Sequence, residues 1–118
     1  MAARDPQGVT APQVVFTVNG PGEISAWLWP LATELRRQRP DLRLAAFLLP
    51  CVFSSGAEAR VLREIGAVDT IATIRESWRA ILTGRMPEGV ARGGPTLLMH
   101  LGAEPALSLA LARRLGAP

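Results

Sequence analysis

Five residues, Val14-Val15-Phe16-Thr17-Val18, run directly into Asn19-Gly20-Pro21-Gly22, and a helical pattern of apolar residues follows at once. The apolar run has the length of a strand, and the glycines and proline end it. Ile24, Leu28, Leu31 and Leu35 then fall on one stripe, the face a helix presents to a sheet. Strand, glycine turn and helix together form the opening unit of a parallel α/β sheet. Such sheets bind ligands beyond the carboxyl ends of their strands, so the turn over residues 19–25 is the first place to look for function.

The unit recurs along the chain. Residues 42–49 (LRLAAFLL) are almost continuously apolar, as expected for a strand covered on both faces. Ser54-Ser55-Gly56 reads as a cap signal, and Ala57, Val61 and Ile65, with Leu62 beside them, form a helical stripe that Gly66 ends. Residues 68–74 predict a third, shorter strand, and residues 77–82 a short helix with Trp78, Ile81 and Leu82 apolar. Residues 83–94 (TGRMPEGVARGG) shift to glycine, proline and charge and read as a loop, mobility being one option. Residues 96–101 (TLLMHL) predict a fourth strand, Gly102-Ala103-Glu104-Pro105 its terminal turn, and Leu107, Ala110, Leu111 and Leu115 the last helix. Four β-α units argue for a three-layer α/β domain on a parallel sheet of about four strands, with right-handed crossovers. The chain stops where a fifth strand would ordinarily begin, so the expectation is one interrupted lobe over residues 13–118, preceded by a disordered leader over residues 1–12.

The start of the first helix is expected at Ser25, as a cap, or a few residues later. Pro30 then either bends the second turn or, if regular helix begins near Trp29, sits in its first turn. Arg36, Arg37 and Arg39 fall where cations suit the helix macrodipole, and Pro40 ends the helix.

The chain's 118 residues suffice for one core. No apolar run approaches the roughly 20 residues that span a bilayer. The leader lacks the apolar segment of a signal peptide. Cys51 is the lone cysteine, which excludes an internal disulfide and fits a reducing cytoplasm. A net charge of +3, all of its cationic side chains arginine, permits an anionic partner without specifying one, and nucleic acid is not among the partners expected.

Residues 20–25 (GPGEIS) come within one residue of the dinucleotide fingerprint, and three features oppose that cofactor. Ser25 replaces the third glycine, Pro21 stiffens the turn, and Glu23 sets a carboxylate where a pyrophosphate would sit. Glu23 can complement a helix dipole or accept hydrogen bonds from substrate hydroxyls or an amine. Ser25 reads as a cap first and a ligand second. Glu104 holds the equivalent place after the fourth strand, so two carboxylates from different loops are expected on one rim. His100 is either a satisfied core or rim residue or a catalytic one, and no spacing of His, Cys and acidic residues indicates a metal site. Trp27 and Trp29 read either as residues packed under a neighbouring loop or as an exposed aromatic pair beside the ligand loop, suited to stacking on a sugar, a lipid contact or docking on a second domain.

Three stretches, VFTVNGPGEISAW, FLLPCVFSSGAEARVLRE and LLMHLGAEPALSLALARRLGAP, resemble the amino-terminal lobe of lipid-A-disaccharide synthase and its divergent glycosyltransferase relatives, over about residues 14–118. The resemblance implies a Rossmann-like lobe of a two-lobed GT-B fold, in which this lobe receives the acceptor and a second lobe, absent here, binds a UDP-sugar. It implies an inverting sugar transfer without a cofactor, a sugar or glycolipid acceptor, and a cytoplasmic enzyme in peripheral contact with the inner face of the membrane. Carried over by position, Gly22, Glu23 and Ser25 match the start of the synthase's G-E-A-S-G-D loop, whose closing aspartate has no counterpart because Trp27 follows Ala26. Where the synthase's fourth-strand turn is rich in aspartate, Glu104 is the one acid here. Glu104, with Glu23 second, is thus the expected base, and Asn19, Gly20, Gly22, Ser25, Trp27 and His100 the expected substrate-binding set. The fragment alone is expected to be inactive and to self-associate through the lobe face left uncovered. Two other classes stay open, a non-catalytic α/β binding or assembly module and another nucleotide-binding enzyme.

Overall fold

A computed structural model describes residues 12–50, 57–102 and 104–117. Nearly all of the expected leader, together with Cys51 and the cap signal at Ser54-Ser55-Gly56, lies outside the described residues. In chain order the elements are β1 (Gln13–Val18), helix α1 (residues 21–38), β2 (Arg43–Leu48), α2 (Glu58–Ile65), β3 (Thr70–Ala72), α3 (Ile74–Thr83), β4 (Thr96–His100) and α4 (Pro105–Leu115). The four strands form one all-parallel sheet in the order β3-β2-β1-β4, flanked by helices, which is the expected Rossmann-like α/β architecture.

Alternation along the strands divides the core in two. Val14, Phe16 and Val18 of β1 join Leu44, Ala46 and Leu48 of β2 under Ile24, Leu28 and Ala32 of α1 and Leu62 of α2. Val15, Ala45, Phe47 and Ala72 face the other way, under Ala80 and Ile81 of α3 and Leu111 and Leu115 of α4. Every residue of β1 is buried, as its central place with a helix layer on each side requires, whereas β4 lies at the edge and leaves Leu97 exposed.

The first helix begins earlier than expected. It opens as a single α-turn, Pro21–Glu23, passes through a π-turn, Ile24–Leu28, and continues as a regular α-helix, Trp29–Gln38. Ser25 is therefore not a cap but lies, exposed, inside the π-turn. Pro30 explains the irregularity. In an unbroken α-helix its ring would press on the carbonyl of Ala26, and the wider turn relieves that contact. The backbone N–H of Trp29 reaches back five residues to the Ile24 carbonyl. Pro30 then occupies the first turn of the regular segment, as the second alternative has it, while the alternative with Ser25 as the cap does not hold.

Two more boundaries move for a local reason. The third strand is only Thr70–Ala72, and Ile74 belongs to α3, which begins three residues before Ser77. Thr73 caps that helix with a capping box: its hydroxyl accepts from the Glu76 N–H at 3.2 Å, and the Glu76 carboxylate accepts from the Thr73 N–H at 3.0 Å. In α2 the buried line runs through Glu58 and Leu62, not through Ala57, Val61 and Ile65, which are only half-buried.

The glycine-rich connector between α3 and β4 is held at the amino end of the sheet. Gln13 binds it as a strand would, its amide donating to Ala91 O at 2.6 Å and accepting from Ala91 N at 3.2 Å, and Val90 is buried. Gly89 has φ +92°, and a Cβ there would lie 2.6 Å from Thr70 Oγ1, so only glycine fits. Arg114 donates to the last carbonyls of α3, Ile81 O and Leu82 O, both at 2.9 Å, and Arg92 to Gly84 O and Arg114 O. These arginines satisfy helix carboxyl ends. Arg114→Met is expected to lower the unfolding free energy by about 1–3 kcal/mol, read as a fall in the urea midpoint at unchanged slope.

Candidate functional site at the carboxyl rim

The strand order locates one crevice. From β1 the chain winds outward through β2 and β3 with α1 and α2 on one face, then crosses to β4 on the far side of β1 with α3 and α4 on the other face. The helices that leave β1 and β4 thus part to opposite faces, and the gap above these two strands is the topological switch point at which open α/β sheets bind ligands. Backbone bonds from Leu101 N and Gly102 N to Thr17 O, at 3.0 and 3.2 Å, draw the turn after β4 against the end of β1.

Within that gap Asn19, Gly20, Glu23 and Gly102 meet. A Cβ on Gly102 would lie 2.7 Å from Glu23 Cγ and 3.0 Å from both Glu23 Oε1 and Asn19 Oδ1. A Cβ on Gly20 would lie 3.0 Å from Glu23 Oε2. Neither glycine has the positive φ that glycine alone tolerates, so it is the Glu23 side chain, wedged between the two loops, that suits glycine at both places. Asn19 Oδ1 is buried and has no hydrogen-bond partner. It and a Glu23 carboxylate oxygen each lie 3.0 Å from where a Cβ on Gly102 would stand, so two acceptors flank that position. A ligand bringing N–H or O–H groups would satisfy both.

Glu104 caps α4 with an extended backbone (φ −70°, ψ 120°), is exposed, and makes no side-chain hydrogen bond to that helix. It stands on the same rim as Glu23, at the carboxyl end of a parallel neighbour of β1. His100, opposite Thr17 in the register, is an exposed residue whose Nδ1 lies 2.8 Å from the Oγ of the buried Ser108.

Other expected residues stand apart. A Cβ on Gly22 would meet nothing within 4 Å. Ser25 lines a shallow groove on the outer side of α1 with Trp29, Pro30, Thr33 and Glu34. Trp27 and Trp29 are both exposed, but two positions apart on a helix they face different ways and form no single stacking platform. Hydrogen bonds from Arg37 and then Gln38 hold the Glu34 carboxyl down at about 2, so that acid is committed to its own helix.

Sequence reasoning missed two features of the rim. Thr17 and Ser108, buried polar residues on β1 and α4, sit under His100. A threonine within an apolar strand, and a serine on the sheet-facing side of a helix, were the available signals. The second is a cavity of about 250 Å³ between the ends of β1, β2 and β3, lined by Asn19, Leu48, Leu49, Thr73, Arg75 and the buried Glu58. Among the described residues no cluster of His, Cys, Asp and Glu could hold a metal ion, and no helix is long and apolar enough to cross a membrane.

Fold and rim together define a Rossmann-like α/β lobe whose polar groups gather at its switch point. Comparison with family models, with curated proteins and with solved structures found no match.

Proposed function

We propose that this chain is the acceptor-binding lobe of an inverting, nucleotide-sugar-dependent glycosyltransferase related to lipid-A-disaccharide synthase. The observation that carries the reading is the Glu23 carboxylate fixed between Gly20 and Gly102 with the unpartnered Asn19 Oδ1 beside it. A pair of acceptors flanking Gly102 suits the hydroxyl and amine donors of a sugar and repels the pyrophosphate of a dinucleotide.

In the reaction, Glu104 takes the proton from an acceptor hydroxyl while that oxygen bonds to the anomeric carbon of the donor sugar. The bond from that carbon to the nucleoside diphosphate breaks, its electron pair leaves with the diphosphate, and the configuration inverts. Glu104 suits the base because its carboxylate is exposed and not engaged in capping α4. Glu23 suits a fixed acceptor that orients the sugar. A UDP-sugar donor belongs to a partner lobe, and the exposed Trp27 is the rim residue suited to an acyl chain or membrane surface.

Calorimetric titration of the chain with glucosamine 1-phosphate tests the acceptor assignment. Saturable binding is expected, weakened about tenfold in Glu23→Gln, the size of one charge-assisted hydrogen bond. Absence of binding, or an unchanged affinity in that variant, would remove the acceptor site from the crevice.

A further inference from the structure

Ser108 Oγ, Thr17 Oγ1 and His100 Nδ1 form a triangle, with 2.8 Å from Ser108 to each of the others and 3.4 Å between Thr17 and His100. Thr17 is fully buried and Ser108 nearly so. The carbonyl to which a helical serine would otherwise donate, that of Glu104, is taken by the N–H groups of Leu107 and Ser108. Two buried hydroxyl protons must therefore be placed within the triangle. With Ser108 donating to Thr17, Thr17 donates to Nδ1. In the reverse sense Thr17 donates to Ser108, and Ser108 to Nδ1. Both arrangements use every proton, and both need the lone pair of Nδ1. A hydrogen on Nδ1 would put three donors on three atoms of which only the two oxygens accept, and one hydroxyl proton would be stranded.

We infer that the triangle holds His100 as its Nε2–H tautomer, which makes this residue a hydrogen-bond donor to an oxygen of the bound acceptor and not the base. Thr17 and Ser108 are its positioning residues. The ring joins β1 to α4 through Thr17 and Ser108, the residue is exposed, and Nε2 has no hydrogen-bond partner among the described residues. The identity of the ligand rests on the sugar-acceptor reading; the tautomer does not.

The chain has one histidine, so a long-range ¹H–¹⁵N spectrum of the imidazole is unambiguous. The wild-type chain is expected to show hydrogen on Nε2 and a lone pair on Nδ1, and Ser108→Ala a mixture of the two tautomers. A wild-type chain with Nδ1 protonated, or already a mixture, would overturn the inference without recourse to any variant. With glucosamine 1-phosphate as probe, His100→Gln, whose amide N–H replaces Nε2–H, should bind within about threefold of wild type, and His100→Phe about tenfold more weakly. Equal losses in both variants would overturn the donor role. A wild-type chain that takes up no probe would retire the sugar reading, and the ligand assigned here with it, while the spectrum still decides the tautomer.

Discussion

Glu104→Gln, made in a transferase that pairs this lobe with its donor lobe, is expected to lower kcat by roughly 10²- to 10⁴-fold and to change KM little. The amide keeps the size of the side chain and cannot take a proton, so the loss falls on the transition state, at about 1.4 kcal/mol per decade. Glu23→Gln should instead act mainly through KM. Its carboxylate fills the space left by two glycines, and an amide of the same shape fills it too while losing acceptor strength. Steady-state kinetics on both variants separates the roles. If Glu23→Gln loses kcat and Glu104→Gln keeps it, the assignments exchange. If both keep it, the base is a residue other than these two.

Gly102→Ala should produce the second large effect, through the same carboxylate. The new methyl would stand 2.7 Å from Glu23 Cγ and 3.0 Å from two acceptor oxygens, closer than carbon atoms approach. Something has to move. The turn after β4 is tied to Thr17 O by two backbone bonds, so the Glu23 side chain is the part that swings out. Overpacking of this kind costs about 1–3 kcal/mol of stability. Binding of glucosamine 1-phosphate should fall by one to two decades, as expected when an anchor leaves the site (roughly 1.4 kcal/mol per decade). Gly22→Ala, at a glycine with open space around it, is the control and should do neither. Equal behaviour of the two variants would show that Glu23 is not wedged.

Much of this architecture was legible in the residues themselves. Short apolar runs separated by helical stripes specify parallel strands with crossovers, and once the strands are parallel their terminal turns must share a rim. That is why Glu23 and Glu104 could be assigned to one rim from the sequence, and the parallel sheet has both turns on that rim. What escaped was set by contacts across the sheet. Nothing local announces that Gly102 is small because a side chain from another loop needs its space, or that Ser108 reaches a strand threonine 91 positions away. The α3 boundary was a different failure: Thr73-Ile74-Arg75-Glu76 has the spacing of a capping box, and the apolar character of Ile74 outweighed it.

The π-turn lets α1 hold one residue more than its faces require. The wide turn at Ile24–Leu28 takes up that residue, so the segments before and after it keep their alignment, Glu23 toward Gly102 and Ala32 toward the sheet. Removing a single residue there, Ala26 for example, would leave both faces where they are but set the Pro30 ring against the carbonyl four residues before it. The cost would fall on the helix and spare the crevice. A residue removed from the regular segment beyond Pro30 would do the opposite, swinging Glu23 about 100° away from Gly102 while the helix itself closes without strain.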